Sequence, residues 1–412
     1  MTHRPGLLDI TLITSFAEAD EILKSRTFMQ DQQLEPSKAP NLQGNLNSLH
    51  GGAHFQRRRV ESALFRRGSL LHYEEDILVP ELRATLGRLA EHHRPDGKVR
   101  AGDLPLLVRA ALVRASSALI GFDLADGAAV ERLLAYSTDI AAGRDVVWAT
   151  TNQDEVVQRV HATWQQLLAE YYRPARDRRE KLLAEHAAGR LPESDLPNDL
   201  ITVLLRNPDS IAGGGGSDLV AHEVGLFLTA SVNTTTVATP KTVDALLRWI
   251  HAHPDDRPRL ADEGFLRQAA QEALRLNPTV PFLLREAVAD SVLSSGRAVT
   301  QGSLVRIDIR AANRDPAIFG ADADGFDPHR QSKIPRRYGI SFGGGIHMCI
   351  GLEFTTGNQS GPEEERTVGM VVHILRELFD AGIELDPTDL PRMKSETTQH
   401  TYANFPVLFS GL

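Results

Sequence analysis

The chain is 412 residues long, carries 54 acidic against 45 basic side chains for a formal charge of −9, and has one cysteine. That length allows a large buried core, while the acidic balance excludes the basic footprint of a nucleic-acid binder. A lone cysteine excludes an internal disulfide and a multi-cysteine zinc site, which fits a reducing, cytoplasmic setting. The opening MTHRPGLLDITLITS lacks the charged segment and long apolar run of a secretory leader. VGLFLTASV, the most apolar helical run, is too short to span a bilayer, so no membrane partner is expected.

In chain order, DITLITS reads as a strand and FAEADEILKS as a short amphipathic helix. AHFQRRRVESALFRRG, YEEDILVPELRATLGRLAEHH and LPLLVRAALVRASSALIG follow, each with apolar residues at helical spacing. The stretch from Gln153 to His186 predicts a long helix with one internal proline. IAGGGGSD, Ile211 to Asp218, is a flexible connector whose Ser217 or Asp218 can cap the next helix. That helix runs from Leu219 to about His253, and Pro240 is expected to bend it. From about Val280 to Arg310 the texture changes to short β runs, VLSSG, RAVTQG and SLVRIDIR. With no internal repeat and no clean linker, the pattern predicts one mainly α domain over residues 1–412 with a small β-rich part attached.

The cysteine lies in FGGGIHMCIG, Phe342 to Gly351. A buried structural thiol is the plainest reading. A Cys/His nucleophile is another, although His347 stands only two residues from Cys349, closer than such partners usually fall. A phosphate-cradling loop calls for Lys-Ser/Thr after its glycines, and neither follows here. The fourth reading is a thiolate ligand to heme iron. It needs a deprotonated sulfur, backbone N–H donors around that sulfur, and glycines such as those at 343, 344, 345 and 351 that admit a flat macrocycle. In that reading His347 places a donor against a propionate and Phe342 shields the sulfur from water.

Phe-x-x-Gly-x-His-x-Cys-x-Gly at Phe342, Gly345, His347, Cys349 and Gly351 resembles the heme-binding loop of the cytochrome P-450 superfamily, soluble bacterial class. EALR, with Glu272 and Arg275, is similar to the family's Glu-x-x-Arg, and FDPHR supplies Arg330 at the family's distance. The resemblance runs from about Ile10 to the C-terminus. It implies heme b on Cys349, a Glu272-Arg275-Arg330 network bracing the cysteine loop, and propionate contacts from His54, Arg58, Arg285 and His347. Leu226, Ala230 and Thr234 share one stripe of the long helix, and the resemblance sets them over the heme, closed in by Phe282 and Phe405. ASVNTT departs from the family pattern twice: Ser231 replaces a glycine and Asn233 replaces an acid, while Thr234 keeps its place.

The activity implied is monooxygenation of a small organic substrate with O2, in specialised metabolism, with electrons from a ferredoxin and its reductase. A peroxide-driven, coupling or other non-hydroxylating enzyme, and a heme-thiolate sensor, are the alternatives. Arg57, Arg58, Arg59, Arg66 and Arg67 form an arginine-rich helix suited to an acidic ferredoxin, with Arg58 turned inward. The recognition loops of such a fold fall at Phe28 to Leu49 and Ile140 to Asp154. Relative to the family the chain starts late, and an atypical insertion at about 353–366 interrupts the helix after the cysteine. That helix is expected to restart near Pro362, a good first-turn residue with three glutamates behind it.

Overall fold

A computed structural model describes residues 10–30, 44–91, 97–145, 153–211, 218–360, 362–395 and 400–412. The glycine connector at 212–217 and the middles of both recognition loops, 31–43 and 146–152, lie outside the described residues. Two compact units emerge, Met1–Gln33 with Lys241–Leu352, and Leu34–Pro240 with Glu353–Leu412. Helix dominates, with small sheets, as the sequence predicts. No described helix is long and apolar enough to cross a membrane.

In the first unit, a four-stranded sheet runs in the order Thr11–Ile13, Leu304–Asp308, Phe282–Ala287, Phe28–Gln30. The outer strand Thr11–Ile13 pairs parallel with Leu304–Asp308, and the other pairings are antiparallel. Period-two burial along Leu304–Asp308 turns Val305 and Ile307 into a core shared with Ile13, Phe16, Ile22, Phe319 and Ile340. Helix Phe16–Lys24 takes no cap from Ser15. Its first N–H goes instead to Asp315 Oδ2 at 3.1 Å, while Asp315 Oδ1 accepts from Ala317 N at 2.9 Å. One carboxylate thereby fixes the starts of two helices far apart in sequence. Helix Glu263–Leu276 begins on an ordinary Asp262 cap and buries the face bearing Glu272 and Arg275.

In the second unit, Val407–Phe409 pairs antiparallel with both Val99–Ala101 and Ile383–Leu385. Two of its prolines follow wide π turns, His72–Leu78 before Pro80 and Leu168–Tyr172 before Pro174. Such a turn absorbs the hydrogen bond a proline nitrogen cannot donate, so both helical stretches continue. Helix Leu219–Ala252 likewise runs through Pro240 without ending.

The segment after the cysteine differs from the sequence reading. A short helix, Leu352–Thr356, stops at Gly357, and the next helix is Met370–Asp380 rather than one starting near Pro362. Glu363–Glu365 form only a 3-10 turn. The described residues between the two helices, 357–360 and 362–369, are pinched together where Thr367 N donates to Asn358 O at 3.0 Å and Asn358 N donates to Thr367 Oγ1 at 2.9 Å. The pinch leaves no room for a side chain: a Cβ on Gly369 (φ 92) would lie 2.2 Å from Gly357 N. Glu74 Oε1 then accepts Gly369 N at 3.1 Å, which sets the helix start there and outbids the local proline signal. Gly369→Ala is expected to cost at least about 1–3 kcal/mol, since a left-handed backbone and a backbone clash act together. A urea midpoint equal to wild type would contradict this packing.

Candidate active site

In the first unit the cysteine loop is a chain of tight turns. Gly343 N donates to Ile340 O at 2.9 Å, Met348 N to Gly345 O at 3.2 Å, and Cys349 N to Phe342 O at 2.9 Å. These bonds close the loop and leave the Cys349 thiol exposed. Phe342 stands edge-on to Tyr338 with ring centroids 5.0 Å apart. Gly345, with φ 63, brings a would-be Cβ to 2.1 Å from the carbonyl oxygen of Leu23, at the end of helix Phe16–Lys24. The sequence reading assigned the loop glycines to macrocycle approach, but at Gly345 the neighbour that demands glycine is the protein's own backbone.

Beneath the loop, Glu272, Arg275 and Arg330 meet and are all buried. Arg275 Nε and Nη2 donate to the two Glu272 oxygens at 2.7 and 2.6 Å, and Arg330 Nε donates to Glu272 Oε1 at 2.8 Å. Their remaining donors go mostly to main chain: Arg275 Nη1 to the carbonyls of Asn313 and Ala323, Arg330 to those of Phe319, Asp322 and Gly325. Asn313 carries this order to the loop. Its amide donates to Arg275 O at 3.0 Å and Ser341 Oγ at 2.8 Å, and its oxygen accepts Ile340 N at 2.9 Å. Asn313 is a residue that the sequence reading missed, because an asparagine's partners cannot be read from its neighbours.

Arg285, on strand Phe282–Ala287, is 3% exposed. Burial depresses its guanidinium to about 10, and the side chain's one described hydrogen bond goes to Leu284 O at 2.8 Å. His347 sits in the turn Gly345–His347. Phe282, partly buried, has the Arg306 guanidinium stacked over its ring at 4.7 Å.

In the second unit, His54 and Arg58 lie four apart on helix Gly51–Glu61, His54 buried and Arg58 half-buried. Burial, then Arg58 and His50, hold the His54 imidazole below its ordinary value. Arg57, which the sequence reading counted among solvent-facing arginines, is 1% exposed and ion-paired with Glu223 of the long helix. Arg59, Arg66 and Arg67 are exposed. Burial pushes the Glu223 carboxyl up to about 7 against the opposing pull of Arg57. It also raises Glu61 well above its usual range, with Glu223 adding to the effect.

Along the long helix, Leu226, Ala230 and Thr234 repeat at intervals of four, Leu226 buried and the other two partly buried. Thr234 Oγ1 donates to Ala230 O at 2.7 Å. Ser231 Oγ donates to Phe227 O at 2.6 Å and lies 2.8 Å from Ser116 Oγ. Asn233 is 7% exposed, and its Oδ1 accepts from Arg109 Nη2 at 3.2 Å, while Arg109 Nη1 donates to Thr138 Oγ1 at 2.6 Å. Arg109 is a second residue that the sequence reading missed. Phe405 is a correction: it is wholly buried, edge-on to Tyr402 at 4.7 Å, and has no accessible surface to offer a substrate.

A family model described as cytochrome P450 matches residues 145–357. A putative cytochrome P450 133B2 of Xylella fastidiosa is 35% identical over 156 residues, 37% of this chain and 36% of that protein. The bifunctional cytochrome P450/NADPH–P450 reductase 2 of Bacillus subtilis is 26% identical over 228 residues, 50% of this chain and 20% of that protein. The matched stretches thus span about a third or less of these relatives' own lengths. Among solved structures, P450BioI in complex with acyl carrier protein ligated to hexadec-9Z-enoic acid gives a TM-score of 0.72 at 18% identity, covering 98% of this chain and 94% of that one. CYP109E1 from Bacillus megaterium, in complex with testosterone, gives 0.71 at 16%, covering 99% and 95%. At such identities the likeness is one of fold.

Glu272→Gln leaves two buried guanidinium groups without their shared counter-charge and is expected to cost about 3–5 kcal/mol in a urea melt. A loss below about 1 kcal/mol would mean the network is not held as described. Glu61 and Glu223 add a pH dependence. Their folded-state values are raised, so their contribution is complete below the ordinary 4.5 and is lost as pH climbs through the folded values, about 7 for Glu223. Urea midpoints should therefore fall across that window, and Glu61→Gln should flatten the fall. An unchanged slope in the variant counts against Glu61 as a titrating group in that window.

Proposed function

Because the chain belongs to the cytochrome P450 family, we propose that it is a heme-thiolate monooxygenase inserting one atom of O2 into a small organic substrate. Family members are heme-thiolate enzymes with heme b as the standard cofactor. The observation that carries the reading is an exposed cysteine on a closed loop whose foot is tied through Asn313 to the Glu272 network. The residues present fit the cofactor. Arg285 is a desolvated cation whose described side-chain partner is a carbonyl rather than a carboxylate, which suits a propionate.

In this proposal Cys349 ligates the iron, with Phe342, Gly345 and Gly351 shaping its loop, and His54, Arg58, Arg285 and His347 serve the propionates. Bound there, heme supplies an iron centre at which O2 is reduced and split with two electrons and two protons. The chain's own part is to hold substrate and move protons. Thr234 already donates its hydrogen to Ala230 O, so toward a ligand its hydroxyl offers lone pairs and receives a hydrogen from water. Asn233 neither holds nor releases a proton near neutral pH; with its oxygen on Arg109, it presents Nδ2 as a donor. Proton delivery then depends on the Thr234 hydroxyl and water. Leu226, Ala230 and Phe282 are proposed to wall the substrate, with Phe405 no longer among them.

Electrons are proposed to arrive from a ferredoxin and its reductase, with Arg59, Arg66 and Arg67 as the docking charges. Residues 1–412 are proposed to act as one heme-thiolate domain with an insertion after the cysteine loop, in the cytoplasm and in specialised metabolism. An amide at 233 favours one second reading, a peroxide-driven enzyme that needs no acid there.

The reduced protein with carbon monoxide is expected to give the strongly red-shifted Soret band of thiolate ligation, and Cys349→Ala should abolish it. A heme-free protein, or a band without that shift, would overturn the reading. Turnover of NAD(P)H with ferredoxin and reductase supports the monooxygenase, whereas turnover with peroxide alone supports the second reading.

A further inference from the structure

The four-stranded sheet of the first unit has a second face that the reading above does not use. One face carries Ile13, Val305 and Ile307 into the core. Alternation along the strands sends their neighbours to the other side. The register sets that side in rows: Leu12, Arg306 and Leu284 in one, Leu304, Glu286 and Met29 in the next, Asp308 and Phe282 in a third. The solvated face of such a sheet is expected to be polar. Here five of the eight side chains are apolar, none of the eight is buried, and Leu12 is 43% exposed.

Arg306, partly exposed in the middle row, has no counter-charge. Among the described residues its guanidinium makes no ion pair and no hydrogen bond, and its one partner is the ring of Phe282, 4.7 Å from the centroid. Two acids share the face without pairing with it: Asp308 Oδ1 accepts Ala311 N at 2.9 Å, and Glu286 is exposed. An aromatic ring holds a cation over its face but leaves the in-plane N–H donors of a guanidinium free. The result is a flat fork of donors bordered by leucine side chains. A carboxylate is the group that accepts two parallel N–H bonds from such a fork.

Size and charge select the occupant. Four strands about 4.8 Å apart and three rows about 6.8 Å apart make a patch of roughly 200 Å², far below the ~800 Å² that a partner protein covers. One cation beside two acids gives no attraction for an anionic membrane surface. A single alkyl chain ending in a carboxylate fits both limits. We propose that this face binds a long-chain carboxylic acid, with Arg306 clamping the carboxylate and Leu12, Leu284 and Phe282 bedding the chain. The site needs no heme chemistry and does not depend on the monooxygenase reading.

The test is calorimetric titration of the heme-loaded full chain with dodecanoate, dodecanol and acetate, each kept below its aggregation limit. Saturable binding of dodecanoate, tighter than that of dodecanol or acetate, is expected. Arg306→Gln should weaken dodecanoate about ten- to a hundredfold, the worth of its charge-assisted hydrogen bonds, and leave dodecanol unchanged. Leu12→Ser, at the exposed rim, should weaken dodecanoate and dodecanol alike by about three- to tenfold. It is also the variant to rely on should the first fold poorly. Dodecanoate held as tightly by either variant as by wild type overturns the site. Acetate binding equal to dodecanoate, or no saturable binding of dodecanoate, overturns it as well.

Discussion

The cysteine loop depends on one carboxylate. Glu272 lies between two buried guanidinium groups, accepting from Arg275 on both oxygens and from Arg330 on one. Such a cluster is not cheap, because three ions have left water. Its value lies in what the arginines do with their other donors. Four of the five carbonyls they reach, at Asn313, Asp322, Ala323 and Gly325, belong to irregular chain with no ladder of its own, and the fifth, Phe319, ends the one-turn helix Pro316–Phe319. The carboxylate fixes the guanidinium planes, the planes fix those carbonyls, and Asn313 passes the constraint on to Ile340 and Ser341. The backbone leading into the cysteine is thus positioned by hydrogen bonds from below.

What could be read in the sequence was what repeats at short, fixed spacing. Phe342 to Gly351 and the pair Glu272 and Arg275 announce themselves within ten residues, and a resemblance to a known family joins them to Arg330. The helices came from their periodicity. Arg57 was misread because its ion-pair partner Glu223 lies 166 positions away, and helical spacing cannot tell which of three neighbouring arginines turns inward. The start near Pro362 was misread for the opposite reason. Every local signal there was sound, but the close approach of Gly357 to Gly369 and the reach of Glu74 decided the helix start from outside the segment. Phe405 was placed by loop position alone, and its burial follows from packing on Tyr402.

The two units deal with buried charge in contrasting ways. Around Glu223 there are two carboxyl groups for one buried arginine, and the surplus is relieved by keeping a proton, since a neutral acid is cheap to bury. Around Arg285, whose described side-chain hydrogen bond goes to a carbonyl, the surplus is positive. A guanidinium cannot shed its proton near neutral pH, so relief has to come from an incoming anion or from water. Carboxyl surplus can be a closed arrangement, whereas arginine surplus points outward to a ligand.

The same reasoning bears on Asn233. An aspartate in its place would sit against Arg109, whose guanidinium now donates to the amide oxygen at 3.2 Å. That cation would favour the charged carboxylate and hold its proton off, so an acid there would be a poor donor at neutral pH. Asparagine keeps the hydrogen bond from Arg109 without adding a buried charge, and its free NH2 can still orient water toward Thr234. The departure from the family pattern therefore removes less than it first suggests. With Arg109 on the helix Leu104–Ile120 as the neighbour, the choice between amide and acid at 233 is set by that arginine as much as by the proton the reaction needs.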